Sequence, residues 1–208
     1  MVRDLLGPDV DLHVAAAMAE LPRHAFLPAE LAGAAYDDRA LAIGSGQTIS
    51  QPRVVAAMLT ALALRPGQTV LDVGAGSGYA AALISRLVSP GGQVIAIERQ
   101  GSLTPVTRAR LKIYAPEVDL RCADAFQGTP EGHRFAAIHI ACACAAEPEA
   151  LLAQLIPGGR MVLPLGPHDG DQRLVLISVG AGGRRTRTAL GRVRFVPALA
   201  GVVSIPTG

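Results

Sequence analysis

Apolar side chains recur at helical spacing over residues 11–21, and Leu21-Pro22 closes the run. The periodicity then lapses over residues 23–52, where Pro28, Gly33, Gly44, Gly46 and Pro52 predict irregular chain. Helical spacing returns over residues 54–64 and stops at Pro66-Gly67. From there short apolar runs alternate with helical ones. Strands are predicted over residues 69–73, 93–98, 118–122, 135–141 and 160–165. Helices are predicted over residues 78–88, 104–114 and 147–155, with Pro105 tolerated in a first turn. The glycine-proline clusters at 90–92 and 157–159 read as terminators. The unbroken apolar run from Phe135 suits a strand buried on both faces.

Strands alternating with helices of about ten residues define an α/β class, a mostly parallel sheet covered by helices on both faces. After Gly166 the helices cease. Residues 173–179 and 192–196 read as strands joined by a Gly/Arg/Thr loop, hence an antiparallel hairpin at the sheet's edge. No internal repeat or linker interrupts the chain, so residues 1–208 are expected to form one domain.

Composition narrows the classes. Half the residues are apolar, enough for a sizeable core, and 17% are charged, which argues against disorder away from the ends. A net charge of +2 offers no general attraction for nucleic acid or membranes. Cys122, Cys142 and Cys144 are too few for a disulfide framework. The first nine residues lack the apolar core of a signal peptide, and residues 135–146 reach about half the ~20 residues of a membrane span. A soluble cytoplasmic protein is expected.

The sharpest motif is Val70-Leu-Asp-Val-Gly-Ala-Gly-Ser-Gly-Tyr79, which follows a strand and opens a helix. Gly74, Gly76 and Gly78 let the backbone turn tightly and approach a ligand, and Ser77 lies among them. A dinucleotide fingerprint requires a third glycine where Tyr79 stands. The spacing and the preceding Asp72 favour a nucleoside with a charged amino-acid tail, whose ammonium Asp72 would meet directly or through water. Glu98 ends the second core strand, where an acid accepts hydrogen bonds from both ribose hydroxyls, and Asp124 follows the third strand on the adenine side.

Three further stretches carry a family resemblance. Pro22-Arg-His-Ala-Phe-Leu-Pro28, Ile43-Gly-Ser-Gly-Gln-Thr-Ile-Ser-Gln-Pro52 and Val193-Arg-Phe-Val-Pro197 resemble segments of the protein-L-isoaspartate O-methyltransferases. The resemblance spans roughly residues 13–201. It implies a Rossmann-like seven-stranded sheet with a reversed final hairpin, and S-adenosyl-L-methionine as cofactor, left as S-adenosyl-L-homocysteine. It divides the chain into a cover for substrate and cofactor (1–52), a cofactor-binding core (53–166) and a hairpin extension (167–208). The implied reaction methylates the α-carboxylate of L-isoaspartyl residues in damaged proteins or peptides, and the ester then closes to a succinimide. A carboxylate is already ionised at neutral pH, so alignment with the methyl matters more than a strong base. By resemblance, Gln47, Thr48 and Ile49 cover the cofactor, and Ala125 and Gln172 also contact it. Ser50 would hold the substrate carboxylate, although its position also suits a helix N-cap. Leu163, Pro164, Leu165 and Gly166 would pair with the backbone of the substrate peptide.

The chain departs from the family at the fourth core strand, commonly Phe-Asp-Ala-Ile-Ile-Val-Thr-Ala-Ala-Ala-Pro. Here Phe135-Ala-Ala-Ile-His-Ile-Ala-Cys-Ala-Cys-Ala145 puts Ala136, Ala141 and Ala145 at the Asp, Thr and Pro positions. His139 is expected on the opposite strand face from Cys142 and Cys144, so no metal site is expected. Arg23 and His24 are read as braces for the N-terminal segment, and the arginines at 184–187 as a solvated hairpin tip. Beside isoaspartyl repair stand methylation of a different peptide carboxylate and a non-catalytic cofactor-binding module; a nicotinamide oxidoreductase fits less well because of Tyr79. The oligomeric state is open.

Overall fold

Asp11 starts the first helix of the computed structural model, which describes residues 9–129 and 132–204. Its carboxylate accepts from the backbone N–H groups of His13 and Val14, so α1 (Leu12–Glu20) begins with its free donors capped. The reading of the N-terminus as lacking a signal peptide lies largely on residues 1–8, outside the described residues. Val14, Ala15, Ala17 and Met18 turn inward, and Leu21 leaves the helix in extended conformation. Two 3-10 turns follow, Arg23–Phe26 and Ala29–Ala34.

The expectation of irregular chain up to residue 52 needs a correction. β1 (Leu41–Gly44) and β2 (Gln47–Ile49) form a small antiparallel hairpin. Leu41, Ile43 and Ile49 are buried, and the reversal runs through Gly44, Ser45 and Gly46, all at positive φ. Three such residues in a row mask a hairpin whose strands are only three or four residues long. α2 (Pro52–Leu62) starts with proline in its first turn, where no N–H is needed, and ends as Ala63 turns left-handed at φ 48°.

The main sheet has the order β5-β4-β3-β6-β7-β8-β9. Its parallel part comprises β3 (Thr69–Val73), β4 (Gln93–Glu98), β5 (Asp119–Cys122), β6 (Phe135–Ile140) and β7 (Leu155–Leu165). α3 (Tyr79–Val88), α4 (Thr104–Tyr114) and the short α5 (Glu149–Leu152) connect them. Alternation along β3 sends Val70 into one apolar core and Leu71 and Val73 into the other, one on each side of the sheet. Phe26 is fully buried in the first core, edge-on to Tyr79 with ring centroids 5.4 Å apart.

Two boundaries differ from the periodicity. The predicted helix over 147–155 shrinks to α5 because β7 begins at Leu155, opposite Phe135, and passes through Pro157-Gly158-Gly159 with a shift of register. Gly158 supplies a positive φ of 83°, so this cluster bends a strand instead of ending a helix. The antiparallel edge consists of β8 (Gln172–Val179) and β9 (Arg185–Val193). β9 starts seven residues before the predicted strand, because nearly all its residues are exposed and no apolar alternation announces it. Arg185 and Arg187 are therefore part of an edge strand, paired with Glu149 and Glu147. Charged side chains on an edge discourage pairing with other chains.

Beyond β9 the chain returns across the sheet. Phe195 is buried, and residues 196–203 cross the carboxyl ends of the parallel strands. Ala143 N–H donates to Val196 O (2.8 Å), and Ala198 N–H to Ala143 O (2.8 Å). At the far end Gly101 N–H donates to Val203 O (2.9 Å), and Val203 N–H to Arg99 O (2.9 Å). Among the described residues no helix is long and apolar enough to cross a membrane.

Candidate active site

The carboxyl ends of β3, β4, β5 and β6 open into a cavity of about 300 Å³, large enough for a small organic ligand. Its floor is the loop after β3. Gly74 (φ 81°) passes Ala141, whose Cβ would lie 3.7 Å from a side chain there, and Gly76 (φ 52°) passes Ile43 at 3.2 Å. A side chain at either position would be strained by the positive φ, and at Gly76 it would also crowd Ile43.

Glu98 is buried (4% exposed) and holds this loop. One carboxylate oxygen accepts from Gly76 N–H and the other from Gln100 N–H, both at 2.8 Å. Each oxygen keeps a second lone pair, so Glu98 retains acceptor capacity for two hydroxyls. From the opposite side Thr107 Oγ1 donates to Gly76 O at 2.5 Å. Asp124 and Ala125 line the cavity after β5. The Asp124 carboxylate accepts from Phe126 N–H (2.9 Å) and Gly201 N–H (2.8 Å), so it also ties down the returning C-terminal segment.

Gln47, Thr48, Ile49 and Ser50 form one wall. The N-cap of α2 is Gln51, with no side-chain cap hydrogen bond, so the capping role expected of Ser50 is not taken up. Ser50 borders the cavity. Val196, Pro197 and Leu199 complete the wall on the C-terminal side, a contribution that the strand reading of 192–196 did not foresee.

Several expected site residues lie elsewhere. Gly78 is the N-cap of α3; a side chain there would meet Thr107 and Leu111 of α4, and Gly78 does not line the cavity. Gln172 is 2% exposed, and its amide clasps the backbone of Phe195, accepting from N–H (2.7 Å) and donating to O (3.2 Å). It secures the C-terminal return instead of reaching the cavity. Leu163, Pro164, Leu165 and Gly166 also lie outside it. β7 is an interior strand: Leu163, Pro164 and Leu165 pair with Val175, Leu174 and Arg173 of β8. On the other edge Cys144 N–H donates to Pro164 O and Gly166 N–H to Cys144 O, both at 2.9 Å. No open edge is left there for a peptide to pair with.

Asp72 is fully buried and does not itself line the cavity; His139 does. The two face each other across β3 and β6, with His139 Nδ1 2.7 Å from Asp72 Oδ1. This pair was missed, although the parallel register puts the two polar residues of neighbouring apolar strands side by side. The chain bends after Ile140, so Cys142 also lines the cavity; the expected separation of His139 from Cys142 by strand alternation fails there. Among the described residues no three His, Cys, Asp or Glu side chains are grouped as metal ligands.

Burial pushes the Cys142 thiol far up, with Cys144, Glu98 and Asp72 adding to the effect and Arg99 opposing it. Burial also pushes the Tyr79 phenol up to about 12, though the Arg23 guanidinium, 5.3 Å from the ring centre, pulls the other way. Arg23 donates through Nε to Ala35 O at 2.7 Å, and His24 Nδ1 lies 2.8 Å from Tyr36 Oη, so both residues brace the N-terminal segment. Thiol and phenol are protonated at neutral pH and offer no nucleophile. The cavity is built to bind and orient.

A glycine loop at the switch point of this sheet, a ribose-competent acid closing the next strand and an antiparallel edge hairpin define an S-adenosyl-L-methionine-dependent methyltransferase. The family model described as protein-L-isoaspartate(D-aspartate) O-methyltransferase matches residues 7–202. A protein-L-isoaspartate O-methyltransferase of Methylorubrum extorquens is 50% identical over 192 residues, 92% of this chain and 82% of that protein. One from Aeropyrum pernix is 46% identical over 183 residues, 87% of this chain and 70% of that protein. A Plasmodium falciparum crystal structure described as a protein-L-isoaspartate O-methyltransferase with S-adenosyl-L-homocysteine superposes with a TM-score of 0.79 at 27% identity, covering 91% of both chains. The chain belongs to the protein-L-isoaspartate(D-aspartate) O-methyltransferase family.

Proposed function

We propose that this chain transfers the methyl group of S-adenosyl-L-methionine to the α-carboxylate of L-isoaspartyl residues in damaged proteins and peptides, as a cytoplasmic repair enzyme. The observation that carries the reading is the placement of Ser50, free of capping duty, in the same cavity as the glycine loop and Glu98. The size and acceptors of the cavity fit the cofactor. Glu98 would take the ribose hydroxyls with its spare lone pairs, and Asp124 and Ala125 the adenine side. Gly74, Gly76 and Ser77 would underlie the cofactor, with Gln47, Thr48 and Ile49 as its cover. The bound cofactor supplies an electrophilic methyl on a sulfonium.

Ser50 donates a hydrogen bond to the substrate carboxylate and fixes which oxygen faces the methyl. Alignment and exclusion of water suffice, because the nucleophile is ionised before it arrives. With β7 fully paired, the peptide is read by its carboxylate and by the wall at 47–50, not by strand addition at 163–166.

A second reading, another peptide carboxylate as acceptor, draws on one observation. Of the three altered fourth-strand positions, Ala141 borders the cavity and Ala136 and Ala145 do not. One experiment separates the readings: methyl transfer from labelled cofactor to one peptide in isoaspartyl and aspartyl forms. Base-labile label on the isoaspartyl form alone is expected. No label on either, with S-adenosyl-L-homocysteine binding intact, would move the acceptor to another carboxylate.

A further inference from the structure

The buried acid of the glycine-loop strand, Asp72, is separated from the cavity by an imidazole. Asp72 is 0% exposed and His139 2%. Asp72 Oδ1 is taken by His139 Nδ1, while Asp72 Oδ2 and His139 Nε2 have no hydrogen-bond partner. An unsatisfied buried polar atom is costly, and one beside a cavity points to a ligand group that completes it. When the imidazole is neutral, the proton between the two groups sits on Nδ1, because a carboxylate only accepts, and the lone pair is left on Nε2. In that form the pair has an acceptor without a partner on the one member, His139, that lines the cavity.

We infer that His139, held in this tautomer by Asp72, is the residue that receives the ammonium of the cofactor's amino-acid tail. The part expected of Asp72 passes to the imidazole, which lines the cavity as Asp72 does not. A cation is the partner that answers both a bare lone pair and the unneutralised carboxylate behind it. Gly74, whose loop follows Asp72, and Ala141, two residues past His139, border the same space, so the tail's seat lies at the ends of β3 and β6.

The assignment rests on the cavity holding S-adenosyl-L-methionine and is tested by binding, not turnover. Calorimetric titration compares S-adenosyl-L-homocysteine with its deaminated and decarboxylated analogues, on the wild-type chain and on His139→Leu. The wild type should prefer S-adenosyl-L-homocysteine over the deaminated analogue by about 10- to 100-fold, the range for one hydrogen bond to a charged group. His139→Leu should erase most of that preference while the deaminated analogue binds both proteins alike. His139→Gln, which returns a side-chain acceptor, should restore part of it. Equal loss of both ligands in His139→Leu, or a loss that follows the carboxylate, would overturn the assignment. If His139→Leu does not fold, deamination that costs nothing in the wild type still overturns it. Failure of the wild type to bind S-adenosyl-L-homocysteine at all would instead refute the cofactor reading.

Discussion

Replacing Gly78 with alanine separates a structural glycine from a ligand-contacting one. Gly78 sits at φ 88°, in a region that costs an L-residue about 1–2 kcal/mol. The new methyl would lie 3.1 Å from Thr107 Cγ2 and 3.2–3.3 Å from Leu111, tighter than ordinary packing, which adds about 1 kcal/mol of crowding. The sum, about 2–3 kcal/mol, lowers Tm by roughly 4–12 °C for a chain of this length. Affinity for S-adenosyl-L-homocysteine should change less. One route to the ligand runs through Thr107, whose hydroxyl also holds Gly76 O; losing that one bond costs about 1 kcal/mol, under tenfold in Kd. Calorimetric melting and titration read the two quantities separately. Loss of binding at an unchanged Tm would refute the reasoning and return Gly78 to the ligand.

Glu98→Ala should weaken S-adenosyl-L-homocysteine binding by at least about tenfold, since it removes both the proposed ribose acceptor and the clamp on Gly76; unchanged affinity in titration would dismiss both roles. Ser50→Ala should lower kcat/KM for an isoaspartyl peptide by about tenfold or more while S-adenosyl-L-homocysteine affinity stays within about twofold, and full activity would leave Ser50 without a role. Alkylation at pH 8 followed by peptide mapping should mark the exposed Cys122 first and spare Cys142 and Cys144, whose thiols burial holds up. Burial raises Cys144 from 9.0 to about 11. Its contribution to stability is therefore complete below pH 9 and lost as pH rises toward 11, an alkaline decline that Cys144→Ala should reduce in pH-dependent melting.

Much of the sheet was legible because its strands obey burial. Thr69–Val73 and Gln93–Glu98 are apolar between a turn and a glycine or acid, and the helix Thr104–Tyr114 has its proline where the first turn tolerates one. The illegible elements are those that burial does not mark. β9 is solvated along its length, and β7 crosses a glycine cluster that elsewhere in the chain ends helices. The site divides the same way. Gly74, Gly76 and Glu98 were marked by their places at strand ends and Ser50 by the family resemblance, and all four line one cavity. Gln172 lies off the cavity, its amide bonded to Phe195, a partner 23 residues away that no local pattern announces. His139 was read along its own strand; its meaning came from the neighbouring strand, where Asp72 stands in register.

The return of residues 196–203 over the strand ends bears on how the protein is made. The glycine loop and all five parallel strands leave the ribosome well before this segment, at about 5–20 residues per second. Yet Val196, Pro197 and Leu199 belong to the cavity wall, and Val203 is bound to the end of β4 only when the segment has arrived. A nascent chain therefore carries a nearly complete sheet with an open ligand seat. Stabilisation by a bound ligand applies only to a state that can bind it. The part of the ligand's stabilisation that depends on residues 196–199 is therefore available only after that segment has been made.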